Sequence, residues 1–165
     1  MSAMNRIRKF LAAAGLLLGL AATGVSAAEQ AAHQHEHGGA PAGLSLDEGR
    51  KWATDGPLRK AMANIRNAMD ASAHDIHEGK LSAARYGELA RKVNGEVAYM
   101  VSNCKLEPRA DAQLHLIIAD MLEGAEAMEG KAKQVKRRDG AVKVMGALEN
   151  YGAYFADPGW KPAGH

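Results

Sequence analysis

From Leu58 onward, apolar residues recur at alternating steps of four and three, the spacing of one narrow stripe along an α-helix. Leu58, Met62, Ile65, Met69, Ser72 and Ile76 form the first stripe, and Gly79 supplies its C-terminal stop. Tyr86, Leu89, Val93, Val97, Met100 and Cys104 form a second, with Ser82 as N-cap and Leu81 placed to staple onto Tyr86. A third opens at Pro108 and carries Leu114, Ile117, Ile118, Met121, Ala125 and Met128 on one face. The fourth runs from about Asp139 through Ala141, Met145, Leu148, Gly152 and Phe155 and stops at Asp157-Pro158-Gly159. No segment alternates as a half-buried strand would. The pattern predicts an all-α fold: an antiparallel up-down-up-down four-helix bundle over residues 45–160. Ser45 to Glu48 has capping-box spacing, which predicts a short helix to about Trp52 ahead of the bundle, and Thr54-Asp55-Gly56-Pro57 closes it and opens the next. Gly87, Gly95, Gly124, Gly146 and Gly152 lie inside helical patterns, each costing about 1 kcal/mol relative to Ala. Close helix approach would account for some of them.

Upstream the pattern changes twice. Arg6, Arg8 and Lys9 precede an apolar run from Phe10, and Val25-Ser26-Ala27 offers small residues for cleavage. Residues 1–27 therefore fit a signal peptide removed after Ala27, with Ala28 the alternative, and point to export into the periplasm without a stable membrane anchor. No lipobox cysteine follows the run, so a lipoprotein is not expected. Residues 28–44 are rich in Ala, Gly and His, have no apolar period, and fit a disordered tail.

Cleavage alters the charge picture. The chain has 21 Lys plus Arg against 19 Asp plus Glu, and loss of the signal leaves 18 against 19. A near-neutral exported chain lacks the footprint that nucleic-acid binding requires. The basic run Lys131 to Arg138 fits a solvated helix end. Cys104 is the one cysteine, so it is buried, metal-bound, reactive or paired between chains.

Candidate chemistry is of the metal-ligating kind. His33, His35 and His37 alternate in the tail, where close imidazoles on a flexible chain can wrap Cu(II), Ni(II) or Zn(II). Threading the bundle back and forth brings Met62, Met100, Cys104 and His115 to one zone at the end where the second and third helices turn. Tyr151 and Phe155 close that layer, and Trp52 and Trp160 flank it. Thiolate and thioether donors favour Cu(I), and imidazole joins them. The competing reading is plain core: methionines fill gaps, free cysteine is commonly buried, and His115 on the flank of its stripe can cap the hairpin. His74 and His77 fall on a wet face. The chain lacks C-x-x-C-H, a fourth-helix histidine, Glu-x-x-His pairs, phosphate loops and nucleophile motifs, so no haem, di-iron centre or enzyme activity is expected.

The blocks KWATDGPLRKAM, VAYMVSNCKLEPRADAQLHLIIADMLEGAEAMEG and ALENYGAYFADPGW resemble a DnrO-like family of small exported proteobacterial proteins. The resemblance implies a periplasmic helical protein and brings no site residues with it. Together these readings lead to an expected non-enzymatic bundle that binds or buffers a transition metal, copper foremost. The alternative is a structural or interaction module of the envelope, such as a homodimer, and a third reading is a sensor using oxidation of Cys104.

Overall fold

The computed structural model describes residues 43–162. The expected signal segment, most of the expected tail, and His33, His35 and His37 lie outside the described residues. The described chain is mostly helical. In order it forms β1 (Trp52–Ala53), α1 (Gly56–Asp70), α2 (Ala73–His77), α3 (Ala83–Asn103), α4 (Pro108–Glu129), α5 (Arg137–Tyr154) and β2 (Phe155–Ala156). Helix α3 packs on α1 and α4, and α5 packs on α4 and α1.

The apolar stripes face the core as their spacing requires. Leu58, Met62, Ile65, Met69 and Ile76 are fully buried, as are Ile117, Met121, Ala125, Met128, Ala141 and Leu148. Local chemistry sets the ends. The Asp55 carboxylate accepts from the Leu58 N–H at 2.8 Å and caps α1, with Pro57 in the first turn. Ser82 caps α3 through the Arg85 N–H, and Glu107 caps α4 through the Ala110 N–H. Gly130, at φ 78°, takes the left-handed turn that ends α4. Arg137 then donates to the Met128 carbonyl at 2.5 Å, so the basic run is engaged on a helix C-terminus.

Three expectations need correction. The short helix at 45–52 does not form. Asp47 and Arg50 close a tight turn with Glu48 and Gly49 both at positive φ, and the Ser45 N–H donates to the Gln113 side chain instead of being helical. Gly49 reaches φ 83° without steric cost, which lets the turn outcompete a helix only eight residues long. Second, the first stripe is not one helix. The Ser72 N–H turns to the Met69 carbonyl at 3.0 Å, a tightened bond that separates α1 from α2 among poor helix formers Asp70 and Ser72. Third, strand structure is present in miniature: Trp52–Ala53 pairs in parallel with Phe155–Ala156, and α5 ends before Asp157. Thr54 donates to the Ala156 carbonyl at 2.7 Å and extends this clasp. With both Trp52 and Phe155 buried, the clasp tethers the two ends of the described chain over one core.

Two of the five interior glycines have a steric reason. A Cβ on Gly124 would stand 2.6 Å from the Gly140 carbonyl oxygen, and α4 and α5 meet there backbone to backbone. At Gly152 a Cβ would lie 2.3 Å from the Trp160 indole nitrogen. Gly95 and Gly146 have open space, and nothing in the structure explains them.

Candidate metal centre at the Cys104 depression

The link between α3 and α4 is four residues, Cys104 to Glu107, so its fixed points matter. Cys104 ends α3, its N–H bonded to the Met100 carbonyl at 2.9 Å. The next N–H, that of Lys105, donates to Asp55 Oδ2 at 2.7 Å. One carboxylate thus caps α1 through one oxygen and pins the α3–α4 link through the other. Sequence spacing marked Asp55 as a turn residue and gave no sign of this second contact, because it spans fifty positions.

Just beyond the link, Met100, Cys104, Asp111 and His115 line a depression of about 200 Å³, together with Val101 and Leu114. Three of the four predicted inner donors therefore share one surface. Met100 is buried and Cys104 half-buried. Met62 is fully buried in α1 and does not line the depression. His74 and His77 are exposed on α2, as their positions suggested.

Hydrogen bonding fixes the imidazole. His115 Nδ1 lies 2.9 Å from the Asp111 carbonyl oxygen and 3.4 Å from its carboxylate. A carbonyl can only accept, so Nδ1 carries the proton and Nε2 is left with a lone pair. This is how a backbone carbonyl orients a histidine for metal ligation, and it is also an ordinary surface cap. The thiol is held in its neutral form. Burial pushes the Cys104 pKa up to about 11, and the Asp55 carboxylate, by charge and hydrogen bond, and Asp111 add to the displacement. The same negative field that disfavours a thiolate favours a bound cation.

Tyr151 and Phe155, expected to close the donor layer, do not line the depression. Tyr151 stacks on Phe155 at 5.5 Å and meets Trp160 edge-on at 4.7 Å, while its hydroxyl donates to Asp157. Burial and Asp157 raise the Tyr151 phenol well above the ordinary tyrosine range.

Among the described residues, no group of three or more His, Cys, Asp and Glu side chains is arranged to hold a metal ion. A methionine–cysteine–histidine set is a different donor set, and here it is gathered around one depression without converging on a single point. Among the described residues no helix is long and apolar enough to cross a membrane. A larger cavity, about 480 Å³, opens beside Trp160, and its lining has no sulfur or imidazole donor. Comparison of the chain with protein-family models, with curated proteins and with solved structures gave no match in any of the three.

Proposed function

We propose that the protein is an exported, non-enzymatic four-helix bundle that binds a soft transition-metal ion, Cu(I) foremost, at the Cys104 depression. The observation that carries the reading is the common lining of that depression by Met100, Cys104 and His115 beside the Asp111 carboxylate. Thioether, thiolate and imidazole together match Cu(I), whose low coordination number needs only two or three such donors. The contacts of α1 with α3, α3 with α4, α4 with α5 and α5 with α1 support the bundle arrangement, in which short links impose antiparallel neighbours. The tail histidines His33, His35 and His37 would capture ions ahead of the inner donors, and residues 1–27 would direct export.

A second reading has its own observation. A thiol raised to about 11 is almost wholly protonated at neutral pH and fits an inert structural residue of an envelope interaction module. Cu(I) titration against a chromophoric competing chelator separates the two. The metal reading expects one tight equivalent in the mature protein, its loss in Cys104→Ala and in His115→Ala, and loss of only the weaker equivalents on deletion of residues 28–43. Unchanged stoichiometry and affinity in all three variants would overturn it.

A further inference from the structure

The larger cavity beside Trp160, about 480 Å³, has the size of sites that take small organic ligands and shares no lining residue with the Cys104 depression. One wall is a face of α1 carrying Arg59, Lys60 and Arg66. The other is the turn from Asp157 to Trp160. Arg59 and Arg66 are seven apart, two helical turns, which sets them on the same side of α1.

Charge in this lining does not cancel. Asp157 is its one acid, and both carboxylate oxygens already accept hydrogen bonds, Oδ2 from the Tyr151 hydroxyl at 3.1 Å and Oδ1 from the Gly159 N–H at 2.9 Å. Arg59 donates to the carbonyl and hydroxyl of Thr54, neutral acceptors that leave its charge in place. Lys60 stands 5.3 Å from the Tyr99 ring centre. Arg66 donates to the Lys161 carbonyl at 3.2 Å and to Asn67, and pairs with Asp70 across 3.7 Å. Its Nε is the buried atom that faces Asp70 across that distance, too long for a hydrogen bond.

Trp160 adds a flat apolar surface held in place before any ligand arrives. Its indole meets Tyr151 edge-on and sits so close over Gly152 that any Cβ there would displace it. The Arg66 guanidinium carbon stands 5.5 Å from the Trp160 ring centre, so cation and aromatic surface are adjacent. A preordered wall lowers the cost of binding.

We propose that this cavity binds a small organic anion, a carboxylate or phosphate headgroup on a flat apolar body. Arg66 and Lys60 hold the headgroup, and Trp160 holds the body. The pairing explains why three cations gather against two acids, Asp157 and Asp70, and why Gly152 gives up a side chain to seat an indole.

The test is an NMR titration of the mature protein that follows the Trp160 indole N–H with four probes: benzoate, phenyl phosphate, inorganic phosphate and benzylamine. Benzoate or phenyl phosphate should give a saturable shift, the better of the two identifying the headgroup, while benzylamine, with the same ring and opposite charge, should give none. Arg66→Gln should weaken binding by about tenfold or more. Trp160→Leu, followed through the backbone amides of Arg59 to Arg66, should abolish the advantage of phenyl phosphate over inorganic phosphate. Lys60 is exposed, so Lys60→Gln serves should Arg66→Gln fail to fold, with a several-fold loss expected. Equal response to benzylamine, unsaturable shifts with both aromatic anions, or inorganic phosphate binding as tightly as phenyl phosphate in the wild type would overturn the proposal.

Discussion

Asp55→Asn isolates the electrostatics of the candidate metal centre. The Cys104 thiol is raised from 9.0 to about 11, with burial the largest cause and the Asp55 charge and hydrogen bond next. At about pH 8, a thiol titrating near 11 is thiolate to roughly one part in a thousand, against about one in ten for an ordinary value of 9. The more basic thiolate is intrinsically more nucleophilic, which returns about a factor of ten over that interval. Native Cys104 should therefore react with an aromatic disulfide reagent about tenfold more slowly than the urea-unfolded chain, and its rate should keep rising past the ordinary thiol range. Replacing Asp55 by Asn removes the charge and keeps a good N-cap. It leaves burial in place, so the pH–rate profile should move to lower pH by part of the displacement only, and the rate near pH 8 should rise. One of the two hydrogen bonds, to the Leu58 or the Lys105 N–H, is lost because the amide nitrogen cannot accept, at a cost of about 1 kcal/mol. A wild-type profile with its midpoint near 9, or an unmoved profile in a folded Asp55→Asn variant, would refute this account of the thiol.

The remaining expectations concern packing and linkage. Gly124→Ala should destabilise the fold by about 2 kcal/mol, because its Cβ would press on the Gly140 carbonyl and on Val144 across the α4–α5 seam, and thermal melting will show it. Gly146→Ala, with open space at its Cβ, should instead stabilise by about 0.5 kcal/mol or more. The folded-state pKa of Cys104 lies above its unfolded value, so its contribution is present below about pH 9 and is lost as pH rises through about 11. Urea denaturation should find wild type losing on the order of 1 kcal/mol relative to Cys104→Ala over that window, a figure already reduced for the partial exposure of the thiol. Because the ligand form is the thiolate, Cu(I) affinity should rise about tenfold for each pH unit below the thiol pKa. A pH-independent affinity would place the ion elsewhere.

Much of the helical frame was legible because each stripe is carried by local periodicity. Leu58 to Met69, Tyr86 to Met100 and Leu114 to Met128 face the core at the spacing that revealed them, and Ser82 and Pro108 start the helices they were expected to start. What escaped is what depends on distant partners. Ser45 and Glu48 have the spacing of a capping box, yet Gln113 takes the Ser45 N–H and Trp52 donates its indole N–H to the Ser45 carbonyl, contacts no local pattern encodes. A strand of two residues is too short to show alternation, so the pairing of Trp52 with Phe155 was invisible. At the candidate centre, layer arithmetic brought Met100, Cys104 and His115 together but carried Met62 along with them. Depth along a helix does not say which side of it a residue faces, and Met62 faces the core.

The clasp of β1 and β2 gives these two regions a common origin. Asp55 lies two residues beyond β1, and Asp157 directly follows β2, so the pairing of Trp52 with Phe155 carries both carboxylates to the same end of the helical body. Each then accepts two hydrogen bonds from groups that fix the fold: Asp55 from α1 and the α3–α4 link, Asp157 from Tyr151 and Gly159. Their electrostatic effects diverge because their neighbours differ. Beside Asp55 lie the Cys104 thiol and Asp111, so the local field is negative, the thiol stays protonated, and a cation is the species that would relieve it. Beside Asp157 lie Arg59, Lys60 and Arg66, of which Arg66 pairs with Asp70, so these cations exceed the two carboxylates by one, the excess on which the proposed anion site rests. A small sheet with almost no area of its own thus sets one carboxylate beside the proposed cation site and the other beside the proposed anion site.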